Sequence, residues 1–364
     1  MNTETKSDDI NIYEALDDGN IREALESFFR WEQHGRASGC RATRTFGPIS
    51  QWNTSNVTSL ENIFHDAYFR VKAFRAFCYD SDDESLDKES CLCNFNEDIS
   101  NWDVSSVTNM KGTFCNLVDF NQDISNWDMS SVTTTDHMFC NAQSFNQDIS
   151  KWDMSSVNNM SGMFYHATQF SQNLSSWNVS SVRIMNGMFC DAMKFNGDVS
   201  SWDVSSVTTT KDMFLNAQSF NQNVSDWDVS SVTTTQNMFG NAIKFNQDIS
   251  KWNVSSVTNM QSMFHNARKF MQNVSNWEIS LCANSNNIIK NTNLVKLYHY
   301  YGFRSRHYSD KDVTKRVFNC KRRRHFIQFL VENGFEPFGG VMIAKSECTF
   351  FDMHDINYLI MSFL

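Results

Sequence analysis

Phe120-Asn-Gln-Asp-Ile-Ser-Asn-Trp127-Asp-Met-Ser-Ser-Val132 is the stretch whose reading decides the fold, because the chain repeats it at a fixed interval. Trp102, 127, 152, 177, 202, 227, 252 and 277 are equally spaced, and Trp52 sits two periods before the first of them. Counted from each Trp, position −7 is Phe120, 145, 170, 195, 220, 245 and 270. Position −3 runs Ile99, Ile124, Ile149, Leu174, Val199, Val224, Ile249 and Val274, and position +2 is Val or Met, ending with Ile279. Branched apolar columns separated by polar residues predict a short strand followed by a turn.

The second half of the unit has another rhythm. After Trp152 the apolar residues are Val157, Met160, Met163, Phe164 and Ala167, which matches one face of a short helix. Thr at +6 (Thr108, 133, 208, 233, 258) is placed as its N-cap. A 25-residue unit cannot bury its own apolar stripe, whereas stacked copies share one core. The expected fold is therefore an α/β repeat solenoid, leucine-rich-repeat-like, of about nine coils, each a short strand plus a short helix.

Polar columns carry corner geometry in this reading. Ser recurs at −2 and +3 from Ser50 and Ser55 to Ser275 and Ser280, where its hydroxyl satisfies backbone groups. Asp or Asn fills −4 (Asp98 to Asn273) and +1 (Asp103 to Glu278). A calcium ladder is the competing reading, but Asn replaces Asp freely and no glycine-rich turns accompany it, so Asx turns are expected.

The run Phe-Asn-Gln-Asp-Ile-Ser-x-Trp-Asp-Val-Ser-Ser-Val-Thr-x-Met-x-x-Met-Phe-x-x-Ala resembles the repeat of the BspA-like leucine-rich-repeat surface proteins. Residues 95–280 match it almost column for column, and Phe46-Gly-Pro-Ile-Ser-Gln-Trp52 looks like that family's entry into its first repeat. The resemblance implies a solenoid of the leucine-rich-repeat kind. Many bacterial members are surface proteins that bind host or matrix molecules, and no catalytic residues carry over.

The ends read differently. Residues 1–9 are expected to be disordered and 10–45 to form a helical N-terminal cap, from Ile12, Leu16, Ile21, Leu25 and Phe28 at helical spacing. The solenoid is expected over 46–281. Within it, 70–94 reads as a degenerate coil, with Phe74, Phe77 and Tyr79 in phase but an acidic loop, Asp80 to Glu89, in place of the helical half. That loop is either a functional insertion or a solvated excursion. Residues 282–364 are expected to form a mostly helical C-terminal cap.

Charge and targeting narrow the function. The net charge is −10, yet residues 282–364 hold 12 Lys and Arg against 7 Asp and Glu, so the body is acidic and unsuited to general nucleic-acid binding. No apolar run is long enough for a membrane span. Met1 to Asp9 lacks the pattern of a secretory signal, so an intracellular, cytoplasmic protein is expected, with Lys321-Arg-Arg-Arg324 as a candidate nuclear-import or acidic-partner cluster.

Ten cysteines then read as free thiols. Cys115, Cys140 and Cys190 share a column with Tyr165, Leu215, Gly240 and His265, which argues against a thiol site, and Cys91-Leu-Cys93 is read as an irregular loop rather than half a metal site. None of the nine histidines joins a metal or nucleophile motif, and no phosphate loop is present. No catalytic, cofactor or metal residues are therefore assigned, and the binding residues are left open. The expected function is a non-enzymatic scaffold that binds another protein, with an adhesin-like surface protein as the alternative. Eight Asn-x-Ser/Thr sequons follow from the repeat columns themselves.

Overall fold

The computed structural model describes residues 14–33, 45–65, 95–274, 277–279, 283–293, 335–338 and 341–344. Successive coils stack in register, one per repeat, joined by single parallel bridges that run Ser59–Asn109–Thr134–Asn159–Ile184–Thr209–Thr234–Asn259–Asn284. The side chains of each period therefore form rows up the stack.

The coils are not the strand-plus-helix units that the apolar spacing predicts. Between residues 95 and 274 no residue lies in a helix or an extended strand. The α/β, leucine-rich-repeat-like architecture is thereby corrected: each coil is a chain of tight turns.

The reason is visible at +10 and +14. Every described residue there has a left-handed backbone, as at Asn62 (φ 50°), Gly112 (59°), Asn116 (65°), His137 (55°), Asn141 (58°), His166 (57°), Asp191 (59°) and Asp212 (58°). A right-handed helix cannot pass through two such residues in five. In the coil of Trp152, the N–H groups of Met163, Tyr165 and Ala167 donate three residues back, to Met160, Gly162 and Phe164. The alternate N–H groups, of Met160, Gly162, Phe164 and His166, donate to Ile184, Asn186, Met188 and Cys190 of the next coil, at 2.7 to 3.0 Å. Every N–H from +10 to +15 thus has a partner, half within the coil and half between coils. Positive φ at the third position of such a turn favours Gly, Asn and Asp, which fill all these positions but those of His137, His166 and Ser262.

Thr at +6 is not a helix cap. Thr133 N–H and hydroxyl both donate to Thr108 O, at 2.8 and 3.0 Å, and Thr208, Thr233 and Thr258 repeat the contact one coil further on.

Three aromatic rows fill the core. Trp152, 177, 202, 227, 252 and 277 lie 2–4% exposed with rings nearly parallel and centroids 6.2 to 6.5 Å apart. Phe at +12 stacks on Phe at −7 of the following repeat, for instance Phe189 on Phe195 at 3.8 Å, and each also stacks on its own row. Each indole N–H reaches back one coil to the −3 carbonyl, as Trp177 does to Ile149 at 3.0 Å. Burial is thus tied to register: a slipped coil would strand an indole donor inside the core.

The first coil is covered by α1 (Asn20–Gln33). Asp17 caps it, its carboxylate accepting from the N–H groups of Gly19 and Asn20, both at 2.9 Å. Leu16 and, on α1, Ile21, Leu25, Phe28 and Phe29 are buried, with Phe29 edge-on to Phe64 and Phe95. Asp18 ties the cap to the coil by accepting from the N–H and hydroxyl of Thr58 and the N–H of Ser59; these bonds outweigh its partial burial and hold its carboxyl below the ordinary range.

At the other end the ladder runs past residue 281. Met260, Ser262, Phe264 and Asn266 donate to Asn284, Asn286, Ile288 and Lys290, and Asn287 and Asn291 are again left-handed. Beyond it, the described part of the tail is an antiparallel pair, β1 (Phe335–Phe338) and β2 (Val341–Ala344), with Phe338 opposite Val341. Gly339 and Gly340 separate them in the sequence. The segments expected to be helical in the C-terminal cap lie almost wholly outside the described residues. The segments 1–9, 70–94 and 310–334 lie outside the described residues.

Candidate binding surface

The stack presents two kinds of face. On one, the −6 and −5 columns carry the nearly uniform Asn-Gln pair. Asn146 N–H donates to Asn121 Oδ1 at 2.9 Å, and the Gln147 amide donates to Asn121 O at 2.7 Å. The same two bonds recur for Asn221 with Gln222 and for Asn246 with Gln247. These amides hold the coils in register. Gly197 interrupts the column, and there the backbone approaches so closely that a Cβ would lie 1.8 Å from Gln172 O.

The corners between the faces are Asx turns. Asp123, Asp148, Asn173 and Asn223 at −4 each accept from the N–H of the Ser two residues on, at 2.9 to 3.0 Å, and Asp128, Asp153 and Asp228 at +1 do the same. Hydroxyl and N–H donors from these serines hold Asp123, Asp128, Asp153, Asp203 and Asp228 below the ordinary carboxylate range; at Asp98 and Asp148 the N–H leads. Part of the serine role is thus the reverse of the expected one: the backbone N–H donates to the neighbouring Asx side chain. Among the described residues no group of three or more His, Cys, Asp and Glu is arranged to hold a metal ion.

The other face lies over the turn strip from +9 to +17, and its chemistry changes from coil to coil. Exposed Lys111 stands 3.5 Å from Glu61, Lys211 stands 3.8 Å from Asp212, and His166 stands 3.3 Å from Asp191. His137 Nδ1 is 2.6 Å from Asp136, a hydrogen bond that raises the imidazole above its usual value, and its ring occupies the space that a Cβ on Gly162 would need. Met193, Lys194, Gln218, Lys244, Arg268 and Lys269 are exposed at +16 and +17.

Down the middle of this strip runs a ladder of +14 side chains. Asn141 donates to Asn116, Asn216 to Asp191, Asn241 to Asn216, Asn266 to Asn241 and Asn291 to Asn266, at 2.7 to 3.0 Å. The apolar pattern conceals this ladder, although the recurrence of Asn, His and Asp at +14 signals it. The acidic loop 80–89 and the basic cluster Lys321–Arg324 lie outside the described residues.

The family model described as "Mycoplasma protein of unknown function, DUF285" matches residues 40–75, 85–201 and 185–298, most of the chain, and the chain belongs to that family. No curated protein and no solved structure matches it. Among the described residues no helix is long and apolar enough to cross a membrane.

Proposed function

We propose that the chain is a non-enzymatic repeat scaffold that binds another protein through the variable turn strip. The observation that carries this reading is the division of labour between the faces. The −6 and −5 amides are committed to inter-coil bonds, while the +9, +10, +13, +16 and +17 side chains differ in charge and size from coil to coil. A surface fixed by packing cannot encode a partner; a mixed outer strip can. The acidic body disfavours nucleic acid as that partner. An intracellular location, cytoplasmic with the nucleus as the alternative, is part of this proposal. A second reading, an adhesin-like surface protein, draws on the resemblance of the repeat to the BspA-like proteins and on the Asn-x-Ser/Thr sequons.

Native pull-down followed by two charge-altered variants tests the proposal. Lys111→Glu with Lys211→Glu and Lys244→Glu should release the co-purified protein, whereas Gln147→Glu with Gln222→Glu, if folded, should retain it. Retention by both, with loss on removal of residues 80–89, would move the site to the acidic loop. Glycan on the native protein would favour the surface reading.

A further inference from the structure

Cys115 and Cys140 occupy the same +13 position of successive coils. Their backbones are locked in register around them: Phe114 N–H donates to Met138 O and Asn116 N–H to Cys140 O, both at 2.8 Å. Hydrogen-bonded parallel neighbours repeat at about 4.8 Å, inside the window of roughly 4.4–6.8 Å between Cα atoms that a disulfide spans. Both thiols are half-buried, and each perturbs the ionisation of the other. The Asp136–His137 pair belongs to the same strip.

We propose that Cys115 and Cys140 form a dithiol oxidised by hydroperoxides to a disulfide that staples two coils together. In the first step the Cys115 sulfur attacks the peroxide; an S–O bond forms, the O–O bond breaks, and an alcohol or water leaves with the thiol proton. In the second, the Cys140 sulfur attacks the sulfenic sulfur; the S–S bond forms, the S–O bond breaks, and hydroxide leaves as water with the Cys140 proton. Two thiols lose two electrons and the hydroperoxide gains them.

The order of attack follows from the surroundings. The neighbouring Cys140 thiol and, more weakly, His137 draw the Cys115 thiol below its ordinary value against the opposing effect of burial. Cys140 is pushed the other way, by the neighbouring Cys115 sulfur, by burial and by Asp136, so it serves as the resolving thiol. Cys190 is the internal contrast. It is buried, donates to Asp191 Oδ2 at 3.2 Å, and has the coil of Tyr165 between it and Cys140. Two coils span about 10 Å, beyond disulfide reach. Packing alone asks nothing of sulfur in this column, since Leu215 and Gly240 also fill it.

The two thiols lie on one tryptic peptide, Gly112–Lys151, which holds no other cysteine of the ten. The reduced full chain is treated with one equivalent of hydrogen peroxide, alkylated and digested. The expected peptide is lighter by two hydrogen atoms and carries no alkyl group, while Cys190 remains alkylated. Cys140→Ser should leave a sulfenic acid at Cys115 that dimedone captures. A Gly112–Lys151 peptide bearing two alkyl groups after the peroxide is consumed overturns the proposal. So does a sulfinic acid at either position, or a cross-link from either cysteine to another peptide.

Discussion

The indole N–H of Trp102 donates to the carbonyl of Ile49 at 2.9 Å, and its ring lies parallel to that of Trp52 at 6.0 Å. These contacts repeat those between coils one period apart, although Trp52 and Trp102 are separated by two periods of sequence. Leu60 N–H donates to Asn109 O at 2.9 Å, so the coil of Trp52 and the coil of Trp102 are immediate neighbours, with no layer between them. The chain covers from His65 to Phe95 the step that Asn116–Asp119 covers between Cys115 and Phe120. Replacing 66–94 with the four residues Asn-Leu-Val-Asp should therefore leave a folded stack. Urea unfolding should report a stability within about 1 kcal/mol of the full chain, the range of surface changes that leave the core intact. A loss of several kcal/mol would show that the segment contributes to the core.

The Trp row carries packing and register together. Trp177→Ala, in a middle coil, should cost about 3–5 kcal/mol through lost burial and the cavity left behind. Trp177→Phe keeps a ring in the row and removes only the bond to Ile149 O, a change of about 1 kcal/mol beyond lost volume. Equal losses for the two variants in urea melts would contradict the role given to the indole N–H.

At +8 the row mixes Met with Thr, and the threonines differ. The hydroxyls of Thr135 and Thr235 are buried without a hydrogen-bond partner, while Thr210 reaches Thr234 O and the Met238 sulfur, each at 3.4 Å. An unpaired buried hydroxyl costs about 1–3 kcal/mol. Thr235→Val should therefore stabilise the protein. Thr113→Val should do the opposite, because that hydroxyl donates to Met110 O at 2.8 Å and Leu60 O at 3.1 Å. Thermal unfolding of the pair checks the sign of each.

Asn241 joins two requirements in one residue. Its φ is 56°, and its amide accepts from Asn266 at 2.8 Å while donating to Asn216 at 2.7 Å. Asn241→Gly relieves the backbone and loses the ladder; Asn241→Ala loses the ladder and adds left-handed strain of about 1–2 kcal/mol. The alanine variant should be the less stable by roughly that difference, read from chemical denaturation.

The same residue shows why the period was legible in the sequence and the local fold was not. Trp, Phe and Ile columns reveal stacking, because burial leaves its mark at every copy. Offsets of +8, +11, +12 and +15 suit a helical face, but turns closed three residues back use the same spacing. What separates the two is the backbone at +10 and +14, and its trace is the choice of Gly, Asn, Asp and His there. The Asx turns at −4 and +1 were legible because Asp-x-Ser and Asn-x-Ser pair locally. The adjacency of Trp52 and Trp102 was hidden, since only inter-coil bonds reveal it.

Acid should weaken the stack through these Asx corners. Asp98, Asp123, Asp128, Asp148, Asp153, Asp203 and Asp228 have carboxyls held below their ordinary value by serine donors. A carboxyl that is depressed on folding stabilises the native state fully above its unfolded value of about 3.9 and loses that contribution as pH falls through the folded value. His137 acts in the opposite sense: raised by its bond to Asp136, it stabilises below about 6.5 and loses that contribution as pH rises through its folded value. The urea midpoint should therefore fall below pH 4 and vary little near pH 5, while from pH 6 to 8 the loss at His137 is opposed by His265, which burial holds below its ordinary value. Asp128→Asn keeps the Oδ1 acceptor for Ser130 N–H, 3.0 Å away in the native chain, and removes the charge. It should remain folded and flatten the acid limb; an unchanged acid limb after converting Asp128, Asp153, Asp203 and Asp228 together would place the acid-sensitive groups elsewhere.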